Sequence, residues 1–264
     1  MADLKSLYRL LDRWGARLAG TRYVQFSRDC VMNERFQFIV AELKRLNKKP
    51  LSILDVGCGG GFFLVYLDRS LPATISHYTG IDWRAASLRA RFAGNRIYHR
   101  FKNVNLDEEW NEGTFDVVVC LEVIEHLMND DGLMMKLARS LKPGGRLFLT
   151  TPSSPFVEAM GEQIPGFSDT SPTQDGGHVR SGYVRAQLEV LARKHGLIPE
   201  TFGWISRFSP NELRRYLRWN SPLGYIWHNF AFPRSSSLAR FAEEDGTPDQ
   251  AERYWSIGMT CRKE

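Results

Sequence analysis

The sequence predicts an α/β protein with a doubly wound, mostly parallel sheet of seven strands and helices on both faces. Three observations lead to this prediction. Apolar stretches of strand length alternate with amphipathic stretches of helix length, a glycine-rich turn follows the first strand, and the fourth strand, 115–120, is nearly all apolar. Central parallel strands have this composition because crossover helices bury both of their faces. The 264 residues, 43% of them hydrophobic, suffice for one core with an insertion or for two small cores.

The elements follow one another in a regular order along the chain. Helices are predicted at 33–47, 62–70, 84–93 and 185–195, with another beginning within 121–127, and strands at 52–56, 77–81, 97–104, 115–120, within 142–152, at 199–205 and at 254–261. This order predicts four regions: an N-terminal helical cap over 1–34, a core over 35–205, a lid or insertion over 206–251, and the last core strand within 252–264.

The loop after the first strand is the most informative segment. Residues 53–61 read Ile-Leu-Asp-Val-Gly-Cys-Gly-Gly-Gly, and glycine lets the backbone adopt positive φ and lets a ligand approach the main chain. A dinucleotide turn needs a small residue where Phe62 stands, which argues against NAD. Asp55 favours a cofactor with an ammonium group, because a carboxylate there would repel a pyrophosphate. A glycine-rich turn without any ligand remains the alternative.

This pattern resembles motif I of class I S-adenosylmethionine (SAM) methyltransferases, and the block Lys-Pro-Gly-Gly within 142–152 resembles their late motif. The resemblance covers residues 35–205 and implies a Rossmann-like fold with SAM as the cofactor. Asp82, at the end of the second strand, is then expected to bond both ribose hydroxyls, although it also suits a helix cap. The segment 105–107 is expected against the adenine, and the sequence leaves open whether Asn105 or Asp107 bonds its amino group. The implied cofactor-binding residues are Asp55, Gly57, Cys58, Gly59, Gly61, Asp82, Trp83, Asn105, Leu106, Asp107 and Leu121.

Candidate catalytic residues follow the fourth strand, at the carboxyl edge of the sheet where such folds bind ligands. Residues 121–127 read Leu-Glu-Val-Ile-Glu-His-Leu and are predicted to begin a helix. Glu122, Glu125 and His126 stand at i, i+3 and i+4, so one helical face is expected to carry all three. Two carboxylates and an imidazole in this arrangement suit a divalent cation such as Mg²⁺ or Mn²⁺.

The same segment resembles that of ubiquinone-pathway O-methyltransferases and of small-RNA 2′-O-methyltransferases, both of which have a Glu-x-x-Glu-His metal site. In the RNA enzymes a second histidine completes the site, and the resemblance makes His178 a candidate fourth ligand beside Glu122, Glu125 and His126. The alternative is that the glutamates are solvated acids in the first turn of a helix, His126 a lone base and His178 a substrate-loop residue.

Together these features predict in-line methyl transfer from SAM to a hydroxyl of a small aromatic or glycosidic metabolite. A hydroxyl needs a base, His126 or His178, or a cation that lowers its pKa, and Glu122 completes the predicted catalytic set. One alternative is an RNA 2′-O-methyltransferase, which the lack of a concentrated basic tract disfavours. Another is a SAM-binding but catalytically silent partner subunit.

Charge and aromatic content bear on partners. The net charge of +5 favours anionic partners without identifying nucleic acid. Basic residues recur at helical spacing within 5–17, and this helix is expected either to cover the substrate pocket or to touch an anionic membrane surface. The arginine- and aromatic-rich region 206–251 suits a lid, a membrane-facing patch, a dimer contact or plain packing, and the oligomeric state stays open. Without a signal-peptide pattern or a long apolar stretch, a cytoplasmic enzyme is predicted.

Overall fold

A computed structural model of the chain describes residues 30–46, 50–86, 92, 94–162, 168–170, 177–207, 252 and 254–264. Three predicted features lie wholly or largely outside these residues. They are the N-terminal cap before residue 30, most of the helix predicted at 84–93, and nearly all of the insertion at 206–251.

The described elements follow the predicted order closely. They are α1 (Cys30–Arg45), β1 (Leu51–Val56), α2 (Phe62–Ser70), β2 (Ile75–Asp82), β3 (Tyr98–Asn103), β4 (Phe115–Leu121), a 3₁₀ turn (Ile124–His126), α3 (Asp130–Arg139), β5 (Leu141–Pro152), α4 (Ser154–Gly161), α5 (Arg185–Lys194), β6 (Leu197–Arg207) and β7 (Tyr254–Lys263). No helix among these is long and apolar enough to cross a membrane.

All seven strands form one sheet in the order β3-β2-β1-β4-β5-β7-β6. Strands β1 to β5 pair in parallel, whereas β7 runs antiparallel to both β5 and β6. The prediction of a mostly parallel, seven-stranded sheet is therefore confirmed. The strand order reverses between β1 and β4, and the carboxyl ends of strands at such a reversal form the crevice in which open α/β sheets bind ligands.

Burial explains why the central strands are so apolar. Every residue of β1 and β4 is buried, and neighbouring residues of β1 belong to different cores: Ile53 to one and Leu54 to the other. The core on one face includes residues of α1 and α2, and the core on the other includes residues of α3 and α5. Helices thus cover both faces of the sheet, as the apolar central strands require.

The structure differs from the predicted elements in three places. Residues 121–127 do not begin a helix, because only the short 3₁₀ turn forms there and α3 begins at Asp130, where the side chain of Asn129 accepts a hydrogen bond from the Gly132 amide at 2.8 Å. Helix α1 spans Cys30–Arg45, where the sequence predicted a helix over 33–47. Helix α4 was not predicted from the sequence at all.

Candidate functional site

The loop between β1 and α2 is built from glycines in left-handed backbone conformations. Gly57, Gly59 and Gly61 have φ of 75°, 49° and 72°. A Cβ on Gly57 would lie 2.3 Å from a methyl of Val123, so this glycine lets the loop pack against the segment that follows β4. A Cβ on Gly59 would meet nothing within 4 Å. The loop is therefore closed by packing on one side and open at Gly59, as a main chain that receives a ligand must be.

Asp82 lies beside this open position. Its Oδ2 atom accepts a hydrogen bond from the amide of Gly59 at 3.0 Å, and the amides of Gly57 and Cys58 donate to the Ile81 carbonyl just before it. The glycine loop and the acid that ends β2, for both of which a cofactor-binding role was predicted, thus meet in the structure. Trp83 follows with 61% of its surface exposed, a large apolar ring next to the open loop.

Asp55 is buried beneath the same loop. The hydroxyl of Tyr78 donates a hydrogen bond to its carboxyl group. Burial, opposed by this hydrogen bond and assisted by the charge of Asp82, raises the pKa of Asp55 from 3.8 to about 7. A positive charge placed nearby would favour the ionised carboxylate, which agrees with the predicted preference for a cofactor that carries an ammonium group.

The loop 105–107 lies next to the end of β2, because the amide of Val104 donates to the Asp82 carbonyl at 3.1 Å. Asn105 accepts a hydrogen bond from the Asp107 amide at 3.2 Å, and both side chains are exposed. The ammonium group of Lys136 donates to the Leu106 carbonyl at 2.6 Å. Lys136 therefore orders this loop from α3, a role that its place in the sequence gives no sign of, since lysines in helices are mostly solvated.

The strongest cluster of chemical groups lies in the segment after β4. One ligand atom each from Glu125, His126 and His178 lies within 4.8 Å of the other two. Glu125 has no exposed surface, and its Oε2 atom accepts a hydrogen bond from the Thr151 hydroxyl at 3.1 Å. Three of the four predicted metal ligands thus converge, beside the loop that Val123 contacts.

The electrostatics of the cluster favour a neutral imidazole at His178. The Nδ1 atom of His126 lies 3.1 Å from the Gly177 carbonyl, which only accepts, so Nδ1 carries a proton and Nε2 is the nitrogen left to face the cluster. Burial, and then the neighbouring His126, lower the pKa of His178. Burial, and then the charge of Glu122, raise the pKa of Glu125 well above its ordinary range. Imidazole nitrogens beside a carboxyl group that lacks a nearby positive charge form a donor set that suits some divalent transition-metal cations.

Glu122 does not join this cluster, and the predicted common helical face is wrong. Its φ of 54° is the only positive value at a non-glycine among the described residues. It therefore precedes the 3₁₀ turn rather than lying within a helix, so the i, i+3, i+4 spacing does not bring it to Glu125 and His126. Its Oε2 atom lies 2.9 Å from the Arg35 guanidinium and accepts a hydrogen bond from the Ser256 hydroxyl at 3.3 Å. Sequence reasoning missed this role of Arg35, because nothing local links α1 to the end of β4.

Comparison with known proteins identifies the family to which the chain belongs. The chain belongs to the methyltransferase domain family, whose sequence profile matches residues 31–220. Together with the class I, Rossmann-like sheet, this makes it a SAM-dependent methyltransferase, and SAM its cofactor.

Individual relatives agree with this assignment. The ubiquinone biosynthesis O-methyltransferase of Colwellia psychrerythraea is 30% identical over 173 residues, which are 61% of this chain and 68% of that protein. The enzyme of the same name from Dechloromonas aromatica is 36% identical over 104 residues, 38% of this chain and 43% of that one. The crystal structure of a SAM-dependent methyltransferase from Mesorhizobium loti matches with a TM-score of 0.52 at 16% identity, over 84% of this chain and 96% of that chain, and supports the fold.

Proposed function

We propose that this methyltransferase transfers the methyl group of SAM to a hydroxyl oxygen of a small-molecule acceptor, assisted by a divalent cation held by Glu125, His126 and His178. The observation that carries the proposal is the convergence of these three side chains after β4, next to the glycine loop. The ubiquinone biosynthesis O-methyltransferases among the relatives support oxygen as the acceptor atom.

The cofactor half of the proposal rests on the open glycine loop. In this proposal Asp82 binds the ribose hydroxyls and the loop 105–107 contacts the adenine. The carboxylate of Asp55 complements the positive charge of the ammonium group. The open space at Gly59 fits a ligand that approaches the main chain. SAM supplies a methyl group that is already activated by the sulfonium, so the protein has mainly to position the acceptor and manage its proton.

The proposed cation site rests on a buried carboxylate oxygen that has no hydrogen-bond donor. Among the described residues, no hydrogen-bond donor reaches the buried Oε1 atom of Glu125, which lies 3.8 Å from Nε2 of His126. Of the two predicted cations, Mn²⁺ suits this donor set better, because Mg²⁺ prefers oxygen ligands to imidazole nitrogens. A bound cation would supply a lower pKa and a fixed geometry for the acceptor hydroxyl. The Nδ1 proton of His126 donates to the Gly177 carbonyl, and this hydrogen bond restrains the ring. The Thr151 hydroxyl donates to the other oxygen of Glu125.

The test measures Mn²⁺ and SAM binding on the same purified samples by calorimetry. Glu125→Gln is expected to weaken Mn²⁺ binding about tenfold or more, because it removes the only anionic ligand of the cluster. SAM affinity is expected to stay within about twofold of wild type, as for sites that share no partner. Asp131→Asn is the matched control, since Asp131 pairs with Lys194 and His195 away from the cluster.

Unchanged Mn²⁺ affinity in Glu125→Gln would reject the proposed cation site.

The acceptor class is tested separately with radiolabelled SAM. Vicinal diols, which present two oxygens to one cation, are expected to accept methyl faster than monohydroxylated analogues, and a chelator should abolish the difference. Methyl incorporation into RNA that falls steeply with salt would instead identify a nucleic-acid acceptor.

A further inference from the structure

The loop that carries His178 lies across the turn that carries Glu125 and His126. Arg180 makes the central contact: its Nη1 atom lies 2.9 Å from the carbonyl oxygens of both Ile124 and Leu127, and Nη2 donates to the Met128 carbonyl at 3.2 Å. Within the turn the Ile124 carbonyl accepts only a long hydrogen bond, from the Leu127 amide at 3.4 Å. Carbonyls at the end of a helical turn generally need partners from outside it. A planar guanidinium can satisfy several of them at once, and its positive charge suits their dipoles.

A second set of contacts anchors Arg180 itself. Its Nη1 atom lies 2.8 Å from the hydroxyl oxygen of Tyr183, and this hydroxyl donates to Oδ2 of Asp130 at 2.8 Å. The same carboxylate oxygen lies 3.6 Å from the guanidinium. Tyr183 is buried, and its amide donates to the Pro152 carbonyl at 3.0 Å. The side chain of Arg180 is thus held between the first residue of α3 and the end of β5.

The residues on both sides of His178 bind the turn directly. The amide of Val179 donates to the Glu125 carbonyl at 3.0 Å, and the Gly177 carbonyl accepts from His126. The rings of His126 and His178 lie 4.6 Å apart, centroid to centroid, at 78°. The position of His178 is therefore set by how the loop 177–183 lies on the turn 124–128.

We propose that Arg180 is a positioning residue that clamps the loop 177–183 onto the turn 124–128 and so sets His178 against Glu125 and His126. The clamp follows from contacts with backbone carbonyls, with Tyr183 and with Asp130. Its consequence for methyl transfer rests on the proposed function, in which the three clustered side chains act together. Arg180 itself bonds carbonyls and a tyrosine rather than reacting atoms.

The chemistry of the side chain makes the clamp specific for arginine. A lysine would present one nitrogen and could not reach the Leu127 and Met128 carbonyls in the same plane. Arg180→Lys should therefore keep the charge and lose most of the clamp, and Arg180→Met should lose both. Tyr183→Phe, which keeps the buried ring, should loosen the clamp less, because it removes only the bridge to Asp130.

The first measurement is amide hydrogen exchange of the full-length protein by NMR. Val179 reports the clamp, and the amide of Gly57, bonded to Ile81 at 2.9 Å, reports the sheet. In Arg180→Met, exchange at Val179 is expected to become about tenfold faster or more, because hydrogen bonds from a charged group are lost. Exchange at Gly57 should stay as in wild type. Arg185→Met, which removes a guanidinium paired with Glu189, is the control.

The second measurement separates positioning from general stability. In Arg180→Met, turnover is expected to fall about 100-fold, the scale of a displacement of about 1 Å in a catalytic group. The KM for SAM should stay within about twofold, and Arg180→Lys should recover part of the loss.

Wild-type exchange at Val179 in both Arg180 variants would overturn the clamp, whatever the rates. Should Arg180→Met not fold, Arg180→Lys and Tyr183→Phe answer the same question. Faster exchange at Val179 with unchanged turnover in Arg180→Met, matched by unchanged turnover in His178→Ala, would confirm the clamp and reject the catalytic role of His178.

Discussion

Asp55 couples the cofactor loop to pH. Its buried carboxyl receives a hydrogen bond from Tyr78, yet burial and the nearby charge of Asp82 still raise its pKa from 3.8 to about 7. The folded protein therefore holds this proton more tightly than the unfolded chain does. The contribution to stability is fully present below about pH 4 and is lost as the pH rises through about 7.

Two pH profiles follow from this shift. Without SAM, the free energy of unfolding of the wild type should fall between about pH 4 and about pH 7 more steeply than that of Asp55→Asn. SAM affinity should change in the opposite direction and rise with pH, by at most about tenfold per unit below about pH 7, because the ionised carboxylate favours the ammonium group.

Urea unfolding and SAM calorimetry at several pH values measure the two quantities. Asp55→Asn should flatten both profiles, since the amide does not titrate. Parallel profiles for wild type and variant would show that Asp55 does not titrate in this range.

Single residues differ in how far the sequence reveals them. The turn at Gly57 and Gly59 and the place of Asp82 at the end of β2 could be predicted. A glycine-rich stretch after a strand, and an acid at the end of the next strand, are local signals. The ion pair and the backbone conformation of Glu122 could not be predicted. Its partner Arg35 lies in a different element far earlier in the chain, and a positive φ at a glutamate has no signal in the letters around it.

At the scale of elements, the segment after β4 is decided by tertiary contacts. The amide of Glu122 donates to the Thr150 carbonyl at 2.9 Å, which extends the pairing of β4 with β5 by one residue. Arg180 then binds the carbonyls that a continuing helix would have used. The sequence spacing suggests a helix because it cannot show either contact, and only the cap at Asn129 marks where α3 begins.

Removing one partner of the ion pair between α1 and this segment should destabilise the fold strongly. The side chains of Arg35 and Glu122 are 3% and 15% exposed, and the guanidinium of Arg35 also donates to the Ser256 hydroxyl at 2.7 Å. Arg35→Met should lower the free energy of unfolding by about 3 kcal/mol, the low end for a buried ion pair, because it removes the Arg35 charge from a partly buried carboxylate. Urea unfolding measures the change.

A double-mutant cycle tests whether the cost comes from the pair itself. Arg35→Met with Glu122→Gln should cost less than the sum of the two single changes. The exposed pair of Arg45 with Glu42 is the control, and Arg45→Met should cost at most about 1 kcal/mol. Strict additivity of the buried pair would show that each residue acts through other contacts.

At the scale of the whole molecule, most of the sheet could be predicted from the sequence. Alternating strands and helices, with a central strand apolar throughout, predict a doubly wound parallel sheet, because each crossover helix must cover one face. The place of β7 between β5 and β6 could not be read in the same way. It depends on a chain reversal after β6 and on pairing with β5, both of which are long-range.

This hairpin makes the long segment before β7 removable. Arg207 and Tyr254 are paired residues in the β6–β7 ladder, so the two ends of the segment between them lie side by side. An Asn-Gly turn can join such ends, because two-residue turns of this type fit antiparallel strands. We expect the shortened chain to fold and to keep SAM affinity within about twofold, since the cofactor residues lie at β1, β2 and the loop after β3.

Acceptor turnover should be lost in the same variant if the segment acts as a lid over the acceptor. Thermal unfolding, SAM calorimetry and the methyl-transfer assay on one preparation distinguish the outcomes. A folded protein with normal SAM binding and no turnover supports a lid, whereas full turnover excludes one. A chain that no longer folds would place the segment in the core, because joining two adjacent strand ends by a short turn costs little entropy by itself.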